Sequence, residues 1–383
     1  MTNIKAAWSR EDVAFMAEAI QLASKGLYTT EPNPRVGCVL VKDGEVVGRG
    51  WHQKAGEGHA EVKAIENAGA RAVNSTAYVS LEPCSHFGKT PPCVNALIQA
   101  GIKRVVAAMK DPNPDVSGSG FKVLANAGVQ VESGLLESQA KALNLGFIKR
   151  METGRPYVRI KMAMSVDGRT AMASGESKWI TGPAARKDVQ RLRARSSAVI
   201  SGIGTILQDD AALTVRASEL GLENANEIVL RQPLRVVLDS SSKIPENSKL
   251  FKTSGPILLV VSSEACVPSA VTQYSNVSVF RLPAIKECPE KSVLTIVLQE
   301  LARRDCNEVL VEAGASLAGS FIKEGCWDEL VLYVAPKLMG SAARPLASLP
   351  MDLMSEATAL QLADMRVVGE DIRLTYHQKN SLI

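Results

Sequence analysis

The sequence predicts an α/β protein of two domains, a three-layer α/β/α sheet in the first half and a largely parallel sheet in the second. Three observations carry that expectation. Short apolar runs rich in β-branched residues alternate with segments of helical periodicity along the whole chain. Its 383 residues suffice for two full cores. The chemistry-bearing motifs of the two halves neither interleave nor repeat, which points to two different domains rather than a duplication.

The elements follow in order. Ser9 with Asp12 three residues on, ahead of the periodic Val13, Met16, Ala17, Ile20 and Leu22, signals a capped first helix. Pro32-Asn33-Pro34 is a turn. Val36 to Val41 and Val46 to Trp51 flank Asp43-Gly44, a strong hairpin signal. His59 to Ala68 is predicted as helix and Thr76 to Leu81 as strand. Pro91-Pro92 opens a helix to about Ala100, since proline is tolerated in a first turn. Arg104–Met109 is a buried strand, Phe121–Asn126 a helix, Val129–Glu132 a short strand, and Glu137 to Lys149 one helix.

Met151-Glu152-Thr153-Gly154-Arg155-Pro156 is the expected seam. Beyond it the strands are Tyr157–Met164, Ala198–Ser201, Leu234–Leu238, Ile257–Val261, Val277–Phe280, Glu308–Glu312, Glu329–Val334 and Ile372–Tyr376. Helices are expected at Pro183–Arg195, Val293–Arg303 and Ser316–Glu324, with a polar loop running through Lys178. In such a sheet, ligands bind at the strand ends.

Composition narrows the function. Forty-four basic residues against forty acidic ones leave a net charge of +4, so the chain as a whole makes no case for nucleic-acid binding. The start of the chain lacks the basic, then apolar, then small-residue order of a secretory signal, and no stretch approaches the ~20 apolar residues of a membrane span. Seven cysteines, an odd number at irregular spacing, fit a reduced cytoplasmic protein.

The sharpest signal lies in the first hundred residues. His59-Ala60-Glu61, Glu82-Pro83-Cys84 and Pro91-Pro92-Cys93 place one imidazole, two thiols and one carboxylate in the order used by zinc-dependent deaminases of amino-substituted rings. A catalytic zinc takes three nitrogen or sulfur ligands and leaves the fourth position to water, whose pKa it lowers toward ~7. Glu61, two residues from the histidine and not itself a ligand, is placed to carry a proton from that water to the departing amine. A closed structural zinc site would instead need Glu61 or His86 as a fourth ligand.

Longer motifs sharpen the assignment. They include Pro32-Asn33-Pro34-Arg35-Val36-Gly37-Cys38, Gly50-Trp51-His52, and the stretch from Glu82 to Cys93 with eight residues between its thiols. Asp111-Pro112-Asn113-Pro114 joins them. In the second half stand Lys161 through Arg169, Ser177-Lys178-Trp179-Ile180-Thr181, Gly204 through Asp210, Leu213 through Arg216, Val311 through Gly314 and Ala335 through Gly340. Across nearly its whole length the chain resembles the bifunctional riboflavin-biosynthesis deaminase/reductase family. That resemblance implies a cytidine-deaminase-like domain over residues 1–150 and a dihydrofolate-reductase-like domain over residues 156–383. The first would deaminate 2,5-diamino-6-ribosylamino-4(3H)-pyrimidinone 5′-phosphate. The second would use NADPH to reduce the ribosyl chain of the resulting 5-amino-6-(5-phosphoribosylamino)uracil to ribityl.

The resemblance also assigns residues. One zinc per chain would be held by His59, Cys84 and Cys93, with Glu61 as the catalytic shuttle. Asn33 would contact the pyrimidine edge and ribose, though between two prolines it could equally be an ordinary turn residue. His52, His86 and Lys89 would supply cationic donors to the 5′-phosphate, or else be solvated loop residues. In the second half Lys161, Ser177, Arg193, Ala212, Arg216 and Glu312 fall where the family contacts substrate, with the arginine forks suited to phosphate. Ala163, Trp179, Thr205, Asp209 and Ser240 fall on the dinucleotide. Gly314, Ala315, Ser316, Leu317, Ala318, Gly319 and Ser320 form a strand–glycine turn–helix segment that would cradle its pyrophosphate. The plainer alternatives are a surface role for the arginines, core packing for Trp179 and a simple turn at Gly314. Asp239 at a strand end would suggest NAD in a Rossmann fold, which this half is not expected to be.

The resemblance further implies a homo-oligomer formed through the reductase half, while the charge balance and the lack of a long apolar run lead us to expect no nucleic-acid partner and no membrane. Two rivals remain: a tRNA-type deaminase with an unrelated carboxy-terminal domain, and a catalytically dead zinc-binding scaffold. The first would need a basic channel with stacking aromatics, against an aromatic content of 4%. The second leaves Glu61 without a purpose.

Overall fold

The computed structural model describes residues 8–86, 91–114, 116–284 and 291–379. The chain divides into two compact units, Met1–Gly154 and Arg155–Ile383.

In the first unit, helix α1 (Arg10–Ser24) opens on a capping box. The Ser9 hydroxyl accepts from the Asp12 N–H at 3.0 Å, and the Asp12 carboxylate accepts from the Ser9 N–H at 3.1 Å. Strands β1 (Gly37–Lys42) and β2 (Glu45–Trp51) form the expected hairpin, because Asp43 and Gly44 both adopt the positive φ that a tight two-residue turn demands. There follow α2 (Ala60–Ala68), β3 (Thr76–Val79), α3 (Cys93–Gln99), β4 (Arg104–Ala107), α4 (Ser119–Asn126), β5 (Gln130–Ser133), α5 (Glu137–Leu143) and α6 (Leu145–Thr153). The sheet order is β2-β1-β3-β4-β5, antiparallel in the hairpin and at β1–β3, parallel from β3 to β5.

Both faces of this sheet are covered. Cys38, Leu40, Ala77, Val79 and Val105 point into one buried cluster with residues of α2, α3 and α4. Their neighbours Val39, Val41, Tyr78 and Val106 point into the other, against α1 and Ala140 of α5. That is the three-layer arrangement the sequence predicts. The single helix expected over 137–149 is broken at Asn144, whose φ of −121° leaves the helical region. The break has a purpose: buried Asn144 accepts from the Arg35 N–H at 2.8 Å and donates to the Arg35 carbonyl at 2.9 Å, which pins the Asn33–Arg35 loop.

The second unit begins with β6 (Tyr157–Ser165), β7 (Arg169–Ala171), α7 (Pro183–Arg195), β8 (Ala198–Gly202) and α8 (Ile203–Asp209). Two short helices, α9 (Ala217–Leu220) and α10 (Ala225–Ile228), precede β9 (Leu234–Leu238), β10 (Ile257–Val261), α11 (Ser269–Thr272) and β11 (Val277–Arg281). The remainder is α12 (Val293–Arg303), β12 (Glu308–Glu312), α13 (Ala315–Lys323), β13 (Glu329–Ala335), β14 (Arg344–Pro345), β15 (Leu360–Val368) and β16 (Asp371–Gln378). The main sheet runs β11-β10-β9-β8-β12-β6-β13-β16-β15, parallel as far as β13. Its last two strands are antiparallel. Leu294, Leu298 and Phe321 of α12 and α13 cover one face, and Val189 and Leu192 of α7 the other. No helix among the described residues is long and apolar enough to cross a membrane.

Candidate active sites

Three segments of the first unit deliver the metal-ligating side chains: His59 caps α2, Cys84 follows β3, and Cys93 opens α3. The helix α2 can lie directly on the hairpin because Gly48 and Gly50 of β2 face its backbone with no side chain between. His59 Nδ1 is 3.1 Å from Cys93 Sγ and 3.5 Å from Cys84 Sγ, and the three donor atoms lie within 4.8 Å of one another. Zinc bonds of ~2.0–2.3 Å at tetrahedral angles put ligand atoms about 3.5 Å apart, so this donor set fits a three-ligand zinc centre. Hydrogen bonds from the Cys93 thiol and N–H, helped by His59, hold Cys84 well below the usual thiol range against the effect of burial, which favours a thiolate there. Glu61, in the first turn of α2, is buried; burial and then the Cys84 charge push its carboxyl up to about 7.

The neighbours of this centre divide. His52 does not offer a cation to phosphate as expected. Its ring is buried, with Nδ1 3.4 Å from the Gly58 carbonyl and Nε2 3.1 Å from Asn33 Nδ2. Burial and the adjacent His59 lower its pKa, which keeps the imidazole neutral. The Asn33 side chain is thereby tied to His52, and its N–H closes a turn on the Thr30 carbonyl at 2.8 Å. His86 is exposed beyond Cys84, and Lys89 lies outside the described residues. Sequence reasoning missed Glu82. Its buried carboxylate accepts from the N–H groups of Asp111, Gly118, Gly120 and Phe121, which anchors the loop carrying Cys84. A glutamate beside the ligand cysteine was the available signal.

In the second unit a cavity of about 690 Å³ opens at the carboxyl ends of β6, β8 and β12, within the size range of small-molecule sites. Of the expected substrate residues, Lys161, Ser177, Arg193, Ala212, Arg216 and Glu312 all line it. Of the expected dinucleotide residues, Ala163, Trp179, Thr205, Asp209, Gly314 and Ala315 do so. Seven lysines and arginines face three carboxylates across this space, a balance that favours phosphorylated ligands. Lys178, Arg186, Lys249 and Arg344 among them were not anticipated.

Several residues take roles other than those expected. Arg193 does not hold a free fork toward phosphate: its Nε and Nη2 bind both oxygens of Glu312, and Nη1 donates to the Thr214 carbonyl at 2.9 Å. Lys161 Nζ approaches the same carboxylate at 3.9 Å. Burial alone would raise Glu312, but Arg193 and then Lys161 hold it below the usual range, so it remains an ionised acceptor. Arg216 is exposed and paired with Glu219 at 2.7 Å.

Trp179 is 63% exposed with the Arg186 guanidinium 4.5 Å above its ring, which rules out core packing. The proposed pyrophosphate segment is shorter than expected. The Ala318 N–H is already spent on the Gly314 carbonyl at 3.1 Å, and Ala318 is fully buried. Gly319 packs against the Ser348 backbone, and Ser320 lies a turn further into α13. Only the first-turn N–H groups of Ala315, Ser316 and Leu317 remain without a helical partner. Exposed Ser240 follows β9, and Asp239 before it is buried with its two oxygens taken by the Lys243 and Ile244 N–H groups.

Comparison with known proteins bears on both units. Residues 9–109 match the cytidine and deoxycytidylate deaminase zinc-binding region, and residues 156–374 match the RibD C-terminal domain. The riboflavin biosynthesis protein RibD of Haemophilus influenzae is 49% identical over 97% of this chain and 99% of its own. The chain belongs to the RibD family. RibD of Escherichia coli is 47% identical over 95% of this chain and 98% of its own. Among solved structures, Acinetobacter baumannii RibD superposes with a TM-score of 0.89 at 45% identity, covering 97% of this chain and 99% of that one. A Thermotoga maritima protein described as a diaminohydroxyphosphoribosylaminopyrimidine deaminase/5-amino-6-(5-phosphoribosylamino)uracil reductase gives 0.82 at 33% identity, covering 96% and 99%. As a RibD protein the chain is a bifunctional enzyme of riboflavin biosynthesis, with a zinc-binding deaminase domain and a reductase domain that implies a nucleotide cofactor. Neither the nucleic-acid deaminase nor the inert scaffold is favoured.

Proposed function

We propose that residues 1–150 deaminate the diamino-ribosylamino-pyrimidinone 5′-phosphate and that residues 156–383 reduce the resulting uracil nucleotide with NADPH. The observation that carries this reading is the convergence of His59, Cys84 and Cys93 beside the buried, non-ligating Glu61. Zinc, held by those three residues, supplies a Lewis acid and a nucleophile from water at neutral pH. Glu61 holds the proton drawn from that water and returns it to the leaving amine. Asn33 orients the ring and ribose, and exposed His86 with Lys89 meets the phosphate.

In the second unit a bound NADPH would supply the hydride for reduction of the ribosyl chain. The open space before Gly314 and the three free N–H groups at the start of α13 suit its pyrophosphate. Thr205, Asp209, Ala163 and Trp179, which line the cavity, contact the dinucleotide, as does exposed Ser240. Glu312, kept ionised by Arg193 and Lys161, accepts from the sugar hydroxyls, while Ser177, Ala212 and Arg216 complete the substrate pocket. A small phosphorylated pyrimidine is the partner, and no nucleic acid is required. A homo-oligomer through the reductase half is favoured by β15, an edge strand on which Leu362, Met365 and Val367 are exposed.

The test is Glu61→Gln. The variant should retain zinc and reduce supplied uracil nucleotide normally, yet lose ammonia release by ~100-fold or more. Near-normal ammonia release would refute the shuttle, and equal losses of both activities would refute the division of labour.

A further inference from the structure

We propose that His52 is a positioning residue of the deaminase site, fixing which end of the Asn33 amide is offered to substrate. The argument rests on the reading above that Asn33 faces the deaminase substrate. His52 Nδ1 lies 3.4 Å from the Gly58 carbonyl, and a carbonyl oxygen only accepts. The ring hydrogen therefore sits on Nδ1, and Nε2 carries the lone pair. That lone pair, 3.1 Å from Asn33, selects the amide NH2 as its neighbour. A rotated amide would set two lone pairs against each other. The Asn33 carbonyl oxygen is thus left as the group presented, and its ligand must be a donor: a ring or exocyclic N–H, or a ribose hydroxyl.

The surroundings hold this arrangement in place. The His52 N–H donates to the Val36 carbonyl at 2.8 Å, and the Asn33 N–H donates to the Thr30 carbonyl at 2.8 Å. Two residues on, the Arg35 backbone is clamped on both sides by Asn144. The His52 ring stands edge-on to His59 with centroids 5.2 Å apart, so the amide it orients is one side chain removed from the metal ligands. His52 itself is buried and has no free nitrogen for the substrate. It acts through Asn33.

A double-mutant cycle on the full-length, zinc-loaded enzyme tests this, with KM and kcat for ammonia release read on the pyrimidine phosphate and reductase activity and zinc content read on the same samples. His52→Ala and Asn33→Ala should each raise KM about tenfold, equivalent to about 1.4 kcal/mol, with zinc content and reductase activity unchanged. The double variant should be no worse than either single one, because both remove the same contact. His52→Gln, whose amide carries one acceptor and one donor, should restore most of the affinity. Additive losses, zinc loss in His52→Ala, or a glutamine variant as weak as alanine would each overturn the proposal. A wild-type enzyme releasing no ammonia from this substrate would instead overturn the deaminase reading on which it rests.

Discussion

Gly50→Ala tests whether the close approach of β2 and α2 sets the metal centre. A Cβ at residue 50 would meet the Ala60 carbonyl oxygen at 2.2 Å and the Ala64 nitrogen at 2.4 Å, both of them backbone atoms that no rotamer change can move. The first contact is about 1.2 Å shorter than the 3.4 Å at which ordinary packing begins, so the start of α2 must retreat by about that distance. His59 caps this helix and Glu61 stands in its first turn, so both move with it. A zinc site tolerates about 0.2 Å in its bond lengths, and a misplacement of about 1 Å at a reacting group costs about 100-fold in rate. Overpacking adds about 1–3 kcal/mol of destabilisation. The variant should therefore bind zinc weakly, lose at least about 100-fold in deamination even at saturating zinc, and keep its reductase activity. Metal titration, ammonia release and reduction of supplied uracil nucleotide read the three quantities. Full zinc occupancy with wild-type deamination would show that backbone contact at Gly50 does not position the site.

Other expectations follow from the same contacts. Cys84→Ser and Cys93→Ser should each lose the zinc, checked by metal analysis; full occupancy in both would refute the ligand set. Arg159→Met takes from buried Glu329 the guanidinium that now pairs it at 2.6 Å, while Glu308 keeps Arg195 at 3.0 Å, and should cost about 3–5 kcal/mol in denaturant unfolding of the second unit. Burial works against ionisation of Asp12, yet hydrogen bonds from Arg104, Tyr78 and Ser9 hold it at about 2, below its ordinary 3.8. A depressed acid stabilises the fold above its unfolded value, so that contribution should be present above pH 3.8 and fade as pH falls toward 2. Asp12→Asn should flatten this part of the urea midpoint against pH. Arg193→Ala releases Glu312 and should raise the reductase KM for substrate while leaving NADPH binding intact, as read by titration of the cofactor.

Much of the fold was legible because its elements obey simple periods. Pro183–Arg195, Ile257–Val261, Val293–Arg303 and Glu308–Glu312 fall where the pattern places them, each with an apolar face or run that a buried cluster consumes. Strand β15 escaped notice for a physical reason. Its ladder slips between Leu362 and Asp364, which breaks the alternation of Leu360 and Leu362 from that of Met365 and Val367, and its outward residues bury nothing within the chain. The cluster of His59, Cys84 and Cys93 was legible because zinc chemistry restricts residue type and order. The roles of His52 and Arg193 were not, since a sequence shows that a cation is near but not whether a carbonyl, an amide or a carboxylate has already claimed its donors.

The two buried glutamates show how far a residue's company decides its task. Glu61 and Glu312 are both removed from water, which by itself would favour the protonated form of each. Around Glu61 the next influence is the negative charge of Cys84, so burial and charge act together and the carboxyl is pushed up to about 7. Around Glu312 the next influences are Arg193, bound to both its oxygens, and Lys161 behind it, and these reverse the effect of burial. The same side chain is therefore prepared to hold a proton beside the metal ligands and to remain an acceptor in the reductase cavity. Arg193 is consequently better understood as a group that keeps Glu312 charged than as a phosphate contact, and Lys161 shares that task. Arg216, in its exposed pair with Glu219, keeps more of its donors uncommitted than Arg193 does.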